Sequence, residues 1–261
     1  MADKPAILLP ITIDATKKWL TFSYNAVAYH ASIAVAEYAD VQAVAVALEA
    51  AMDAAMSLPG EAIVTCAVGT DNILRTTIGI TTGSATFSLL LKTGLHGFDN
   101  DDDHIGHVLG FTDAADYTGA ISYESDYQAQ GCWVSGRAPS MDSYDQPEHV
   151  GTELRTTLDA TYSLTLDIGV RYTREVGFPV QLPEVVYANQ ATGANLNRDF
   201  ETAWEAMIGG STFRYCPDSA TLATYTTYNL MEPREWAGRM ERKGRGIRRH
   251  SWTLMMRRLE S

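Results

Sequence analysis

The stretch DVQAVAVALEAAMDAAMSLPG, residues 40–60, carries the clearest secondary-structure signal in the chain. Its apolar side chains recur at intervals of three and four residues, which is the spacing of one face of an α-helix. Asp40 is typical of a helix N-cap, because its carboxylate can accept a free backbone N–H of the first turn. Pro59 and Gly60 are expected to end the helix. The sequence therefore predicts a helix over residues 40–56.

Short runs rich in β-branched and aromatic residues lie on both sides of this helix. Several alternate between apolar and polar residues, which is the pattern of half-buried strands. The predicted strands are Ile7–Asp14, Trp19–Tyr24, Tyr29–Tyr38, Glu61–Val68, Ile73–Ile80, Thr86–Leu91, Ala120–Tyr123, Gly131–Arg137, Tyr162–Val176, Phe213–Cys216, Tyr225–Leu230 and Ser251–Leu259. Many strands with few helices indicate a mainly β fold with α+β elements rather than alternating β and α units.

Residues 138–151 are the best candidate for a domain boundary. They contain two prolines among polar residues and show no periodicity, which is typical of a linker. We therefore expect two β-rich modules, residues 1–137 and 152–261, each sandwich-like or barrel-like. Each module is expected to hold one or two short helices, and the further candidates are His104–Leu109 and Asn197–Met207.

Composition and cysteine usage narrow the class of protein. Hydrophobic residues make up 46% of the chain, yet no apolar run reaches the length of a transmembrane helix, so membrane insertion is not expected. The N-terminus lacks the features of a signal peptide, which favours folding in a cytoplasm. Cys66, Cys132 and Cys216 are odd in number and far apart. They therefore predict reduced core thiols rather than disulfides.

Charge is unevenly distributed along the chain. The net charge is −12, but residues 231–261 carry nine Arg or Lys against four Glu, which leaves a net −17 on residues 1–230. The segment 231–250, called the basic arm below, has no apolar face and predicts an extended hairpin or arm. Its cationic residues are Arg234, Arg239, Arg242, Lys243, Arg245, Arg248 and Arg249.

The basic arm suits an acidic partner, and the acidic body of a neighbouring copy is the most available one. Phosphate contacts need little more than such charges, so nucleic acid is the alternative. The remaining net charge of −17 would repel a duplex, however. We therefore expect the cationic residues of the arm to form a protein interface and do not expect nucleic-acid binding.

An acidic run at residues 99–103 is the sharpest cluster of possible cation ligands. Asp99, Asp101 and Asp103 have the alternate spacing with which calcium-binding loops begin. The pattern then departs from such loops, because His104 stands where glycine is needed and Gly110 where a bidentate carboxylate belongs. A solvated loop in which Asp102 or Asp103 caps the next helix is the favoured interpretation.

His104 and His107 stand three residues apart and could share a metal ion. Zinc needs at least a third protein ligand, and the neighbouring sequence offers no cysteine or glutamate at useful spacing. His96 is the remaining candidate. We therefore predict no metal site from this pair, and no cofactor.

Signatures of catalysis and of sugar binding are weak. The chain has no G-x-S-x-G turn, no phosphate-binding glycine loop and no dinucleotide fingerprint. An enzyme that hydrolyses glycans with a pair of carboxylates stays an open alternative, but nothing selects one pair among the 32 acidic residues. Trp133, Tyr144, Tyr225 and Tyr228 could form a sugar-stacking platform, although strand aromatics are more often core. The expectation is a protein that is not an enzyme.

The run ITIDATKKWLTF, residues 11–22, resembles the opening of a set of tailed-bacteriophage virion proteins. In those proteins a strand reading ITIDATNN turns into a second strand, and a third strand and a helix follow, as residues 40–56 do here. The resemblance continues through TFSLL at 86–90, LGF at 109–111 and DYTG at 116–119, and it covers residues 7–125. In the second half, FRYCPD at 213–218 and WTLMMRR at 252–258 are similar to phage tail and baseplate proteins.

The resemblance implies a structural role in the virion and no catalytic residues. We expect a tail subunit of the distal tail, baseplate or tail-end ring that is assembled in the host cytoplasm. Its partners would be copies of itself and neighbouring tail proteins, because head-to-tail contacts close into rings when the rotation permits. A neck or head–tail connector protein and a carbohydrate-binding module of the adhesion apparatus are the alternatives.

Overall fold

The computed structural model describes residues 5–134 apart from 72 and 84, and residues 212–230 apart from 223. It also describes the strand backbone at 141–142, 146–155, 163–181, 239–242 and 248–258. These parts of the chain form four β-sheets and one α-helix, with no closed barrel. The predicted mainly β fold class is therefore confirmed.

Eleven strands and the helix lie in the first half of the described chain. They are β1 (Ala6–Leu8), β2 (Ile11–Ile13), β3 (Trp19–Tyr24), β4 (Val27–Ser32), β5 (Ala36–Tyr38), α1 (Val41–Met56), β6 (Ala62–Val68), β7 (Leu74–Ile80), β8 (Phe87–Leu89), β9 (Tyr117–Ala120), β10 (Ser122–Glu124) and β11 (Cys132–Val134). The later strands are β12 (Met141–Asp142), β13 (Gln146–Arg155), β14 (Ser163–Gln181), β15 (Phe213–Cys216), β16 (Thr226–Leu230), β17 (Arg239–Arg242) and β18 (Arg248–Arg258).

Helix α1 follows the predicted pattern closely. Asp40 is its N-cap, and its Oδ1 accepts the Ala43 N–H at 2.9 Å. The helix ends at Ser57, whose φ of 56° lies in the left-handed region. Its buried face packs against β4 and β6 and consists of Val41, Val44, Ala45, Leu48, Met52 and Met56. The predicted helix is confirmed, and no helix in the described part of the chain is long and apolar enough to cross a membrane.

The first predicted strand, Ile7–Asp14, is divided into β1 and β2. Pro10 lies at the break, and a proline has no N–H to donate to a sheet. β1 pairs with β11 and β15, whereas β2 pairs with β5 in a separate two-stranded sheet. The chain therefore changes sheets at this proline, which an alternating pattern alone does not reveal.

The largest sheet joins the two ends of the chain. Its order is β11-β1-β15-β16-β18-β14-β12, with β13 also paired to β14 and β17 to β18. The other sheets have the orders β4-β3-β8-β9, β10-β7-β6 and β2-β5. Because β15 pairs directly with β1, strands after residue 212 continue a sheet that the first residues of the chain begin.

Two expectations for the middle of the chain need correction. Residues 138–151, predicted as a linker, contain β12 and part of β13, and both strands pair with β14. The predicted helix His104–Leu109 is only a 3₁₀ turn at Ile105–His107, because Gly110 turns the chain with a φ of 85°. The predicted helix Asn197–Met207 lies outside the described residues.

The three cysteines are free, as predicted. Cys132 and Cys216 are buried, and Cys66 is half-buried. Burial raises the pKa of the Cys66 thiol to about 11, and the Asp40 carboxylate adds to the shift. Burial likewise raises the pKa of the Cys216 thiol to about 12, again with a contribution from Asp40. Both thiols are therefore held in the unreactive protonated form at neutral pH.

We expect Cys66 and Cys216 in the native protein to react with iodoacetamide at pH 8 about 100-fold more slowly than an ordinary cysteine, because the thiolate is the nucleophile. Mass spectrometry of peptides after timed alkylation measures each rate. In urea the difference between these cysteines and a free thiol should disappear. Rapid alkylation of either residue in the folded protein would contradict the assigned burial.

Candidate functional site

The segment between β8 and β9 is a long loop that is closed at its base. The Asp116 carboxylate accepts the backbone N–H groups of Lys92 and Thr93 at 2.8 and 3.0 Å. Within the loop, Asn100 Nδ2 donates to the Gly94 carbonyl at 2.6 Å. These hydrogen bonds fix the backbone of the loop, and with it the position of the acidic run at residues 99–103.

The 3₁₀ turn in this loop carries both histidines. Ile105 and Gly106 are buried, which anchors the turn on the core. His104 precedes it as an N-cap, and its Nδ1 accepts the Gly106 N–H at 3.1 Å. Gly110 then reverses the chain, and Asp113 comes back beside His107.

Four side chains converge here; we call Asp102, His104, His107 and Asp113 the His–Asp cluster. One ligand atom from each residue lies within 4.8 Å of all the others. Asp102 Oδ1 lies 3.3 Å from His104 Nε2 and 3.6 Å from His107 Nε2, and Asp113 Oδ2 lies 3.3 Å from His107 Nε2. The two imidazole rings have centroids 4.5 Å apart. The cluster therefore offers two nitrogen and two oxygen atoms to one point.

The four residues of the His–Asp cluster differ in burial, and burial affects the charge of His104. The side chain of His104 is 1% exposed, whereas those of His107 and Asp102 are nearly half exposed. Burial lowers the pKa of His104, and the neighbouring His107 lowers it further, against the opposing effect of Asp102 and Asp113. His104 is therefore neutral near pH 7, which is the form that binds metals.

Asp99, Asp101 and Asp103, the weak candidate for a cation site, do not come together in the structure. Asp101 Oδ2 lies 2.9 Å from His96 Nδ1, and its Oδ1 accepts the Asp103 N–H at 3.2 Å. Within the described residues, the three aspartates that begin the calcium-like pattern do not form a ligand group, and the group that does form contains Asp102 instead.

The sequence predicts the histidine pair but not its two acidic neighbours. His96, the remaining histidine candidate, stacks on Trp19 with ring centroids 4.4 Å apart instead of joining the cluster. The sequence feature that could have identified all four residues is the spacing D-x-H-x₂-H-x₅-D at residues 102–113.

The basic arm contains a β-hairpin where it is described. β17 and β18 pair antiparallel, with Arg242 opposite Arg248, Glu241 opposite Arg249 and Arg239 opposite Ser251. Like charges directly opposite each other on a sheet destabilise the pairing. Arg234, Lys243 and Arg245 lie outside the described residues.

Those of the proposed sugar-stacking aromatics that the structure describes do not form an open platform. Trp133 and Tyr228 are core residues with 1% and 0% exposure. Tyr225 is exposed, but the Arg214 guanidinium lies over its ring at 4.1 Å from the centroid. Tyr144 is not among the described residues.

Two features of the described chain can thus engage other species. The His–Asp cluster has the donor atoms of a divalent metal site, and the basic hairpin has the charge for an acidic surface. Comparison with protein families, curated proteins and solved structures gives no match to this chain.

Proposed function

We propose that this protein is a non-enzymatic structural subunit of a tailed-bacteriophage tail, in a distal-tail, baseplate or tail-end ring. It assembles with copies of itself and with neighbouring tail proteins, and it resides in the virion. The observation that carries the proposal is a ribbon of long strands ending in a basic hairpin, on a chain whose first 230 residues carry a net charge of −17.

The length of β14 supports an extended ribbon. The strand has 19 residues, and at roughly 3.3 Å per residue it spans about 60 Å. A compact protein of 261 residues has a radius of gyration of about 18 Å, which corresponds to a sphere about 46 Å across. The strand is therefore long enough to reach beyond a compact body and contact a neighbouring subunit.

The edges of this ribbon also favour association. Among the described strands, residues 163–172 of β14 pair with β13 alone, and pairing with β18 begins at Thr173. An unpaired strand edge presents N–H and C=O groups that a strand from another chain can use. Strand addition between copies is a second route of assembly beside charge attraction.

The charges of the arm and the body are complementary. Residues 231–261 carry a net +5 and residues 1–230 a net −17. In a ring, the arm of each copy contacts the acidic body of the next, and every copy makes the same contact. This arrangement also places an anionic surface against the register position where Arg242 stands opposite Arg248.

Negative-stain electron microscopy of the purified protein tests this proposal. We expect closed rings of uniform diameter in low salt, with a particle mass in mass photometry that is a whole multiple of 28.6 kDa. Antibody labelling of virions then locates the protein in the tail or, for a connector, in the neck. A protein that stays monomeric at all concentrations and binds host polysaccharide saturably would contradict the proposal and favour a carbohydrate-binding module.

A further inference from the structure

We propose that Asp102, His104, His107 and Asp113 bind one divalent first-row transition-metal ion, of which zinc is the representative. The site would hold the loop between β8 and β9 in one conformation. It is independent of the assembly role proposed above, because none of its residues belongs to the basic arm.

The spacing of the donor atoms supports a metal centre over ordinary ion pairs. Three nitrogen–oxygen separations in the cluster are 3.3, 3.6 and 3.3 Å. Charged hydrogen bonds are shorter, at about 2.7–2.9 Å. A tetrahedral zinc with bonds of about 2.0–2.2 Å puts its ligand atoms about 3.3–3.6 Å apart. Three of the six ligand–ligand separations thus match the edges of a coordination tetrahedron, and all four ligand atoms lie within 4.8 Å of one another.

The buried nitrogen of His104 is an independent observation. Nε2 has no hydrogen-bond partner, although His104 is 1% exposed. The Asp102 oxygen lies 3.3 Å away without hydrogen-bonding geometry. Proteins rarely leave a buried polar atom without a partner, and a bound ion can satisfy such an atom. A metal between the two histidines gives Nε2 the partner that the protein does not provide.

Metal binding has a specific consequence at Gly106. Because the Gly106 N–H donates to His104 Nδ1, the neutral ring carries its proton on Nε2. An ion bound to Nε2 displaces that proton, and a neutral ring must then carry one on Nδ1. The Gly106 N–H would then face an N–H instead of an acceptor, so the 3₁₀ turn must shift locally when the site is loaded. The amide resonance of Gly106 is therefore expected to shift when the site is loaded.

The ligand set determines the class of ion. Imidazole nitrogen suits zinc, copper, iron and nickel, whereas calcium and magnesium prefer oxygen ligands alone. Two carboxylates neutralise the charge of a divalent ion. Four protein ligands fill a tetrahedral zinc, which is the arrangement of structural rather than catalytic sites.

Titration of untagged, EDTA-stripped protein with zinc chloride in a calorimeter tests the proposal. We expect one ion per chain, a higher Tm with zinc and, with cobalt chloride, the visible absorption of tetrahedral Co²⁺. His107→Ala and Asp113→Asn should each weaken zinc binding about 100-fold or more, because each removes a direct ligand. Both residues are at least partly exposed, so the variants should fold, and circular dichroism checks this.

His96→Gln/Asp101→Asn is the matched control. This double variant removes a histidine–carboxylate pair from the same loop and leaves the cluster intact, so its zinc affinity should be unchanged. The proposal is overturned if the folded wild type takes up no zinc. It is also overturned if His107→Ala and Asp113→Asn bind as tightly as the wild type, or if the control loses affinity as they do.

Discussion

Arg214→Met is expected to lower the free energy of unfolding by about 3–5 kcal/mol, because it leaves a buried carboxylate without its cation. Arg214 Nη1 lies 2.6 Å from Asp40 Oδ2, and the Asp40 side chain is 0% exposed. The other Asp40 oxygen accepts the Ala43 N–H at the start of α1. Methionine matches the volume of the arginine stem but supplies no charge. Urea denaturation followed by circular dichroism measures the loss.

Asp40→Asn separates charge from capping. The amide oxygen can still accept the Ala43 N–H. The Arg214 guanidinium still lies over the Tyr225 ring, and its side chain is 21% exposed, so water can solvate its charge. We expect a smaller loss of about 1–2 kcal/mol. The double variant should lose less than the sum of the single losses, because no buried charge is left unpaired. A decrease of less than about 1 kcal/mol in the free energy of unfolding for Arg214→Met would contradict the stabilisation expected from this buried ion pair.

The Asp40–Arg214 pair also shows which part of the fold could be predicted from the sequence. The helix and its N-cap depend on residues within one turn, so local pattern is sufficient to predict them. The partner of Asp40 lies 174 residues away, and no local pattern selects it. The same limit applies to β1, whose apolar run predicts a strand but not its position between β11 and β15.

The predictions for residues 7–14 and 138–151 were wrong for physical reasons that the structure shows. Pro10 divides a run that is continuous in hydrophobicity, because the missing N–H matters to pairing and not to hydropathy. In residues 138–151, prolines and polar residues indicate a linker, yet β13 includes Pro147 and pairs with β14. A bulge between His149 and Gly151 breaks the alternation in this strand, and irregular strands of this kind resemble loops in sequence.

The sequence predicts only half of the candidate metal site. His104 and His107 stand out as a pair, but a regular helix over His104–Leu109 would not have brought the chain back to them. The short 3₁₀ turn and the left-handed Gly110 do so, and Asp113 becomes a neighbour of His107. Asp102 itself has a φ of 55°, a conformation that aspartate tolerates better than most residues.

Neutralising the basic arm is the second change with a large expected effect. We expect replacement of Arg242, Lys243, Arg245 and Arg248 by glutamine to weaken self-association about 10-fold or more in low salt, because the arm loses its attraction to an acidic neighbour. Analytical ultracentrifugation across a concentration series measures the change. Wild-type association should itself weaken as salt is raised, since about 0.1 M salt screens exposed charges beyond about 10 Å.

The same substitution should affect folding in the opposite direction. Arg242 and Arg248 occupy directly opposite register positions of the hairpin, and removing like charges from opposed positions stabilises a strand pair by about 0.2–1 kcal/mol. The variant should therefore unfold no more easily than the wild type while it assembles less well. Lys17→Gln/Lys18→Gln/Lys92→Gln removes positive charge from the body, and it should leave assembly intact. Equal assembly of the arm variant and the wild type at every salt concentration would show that the arm is not the interface.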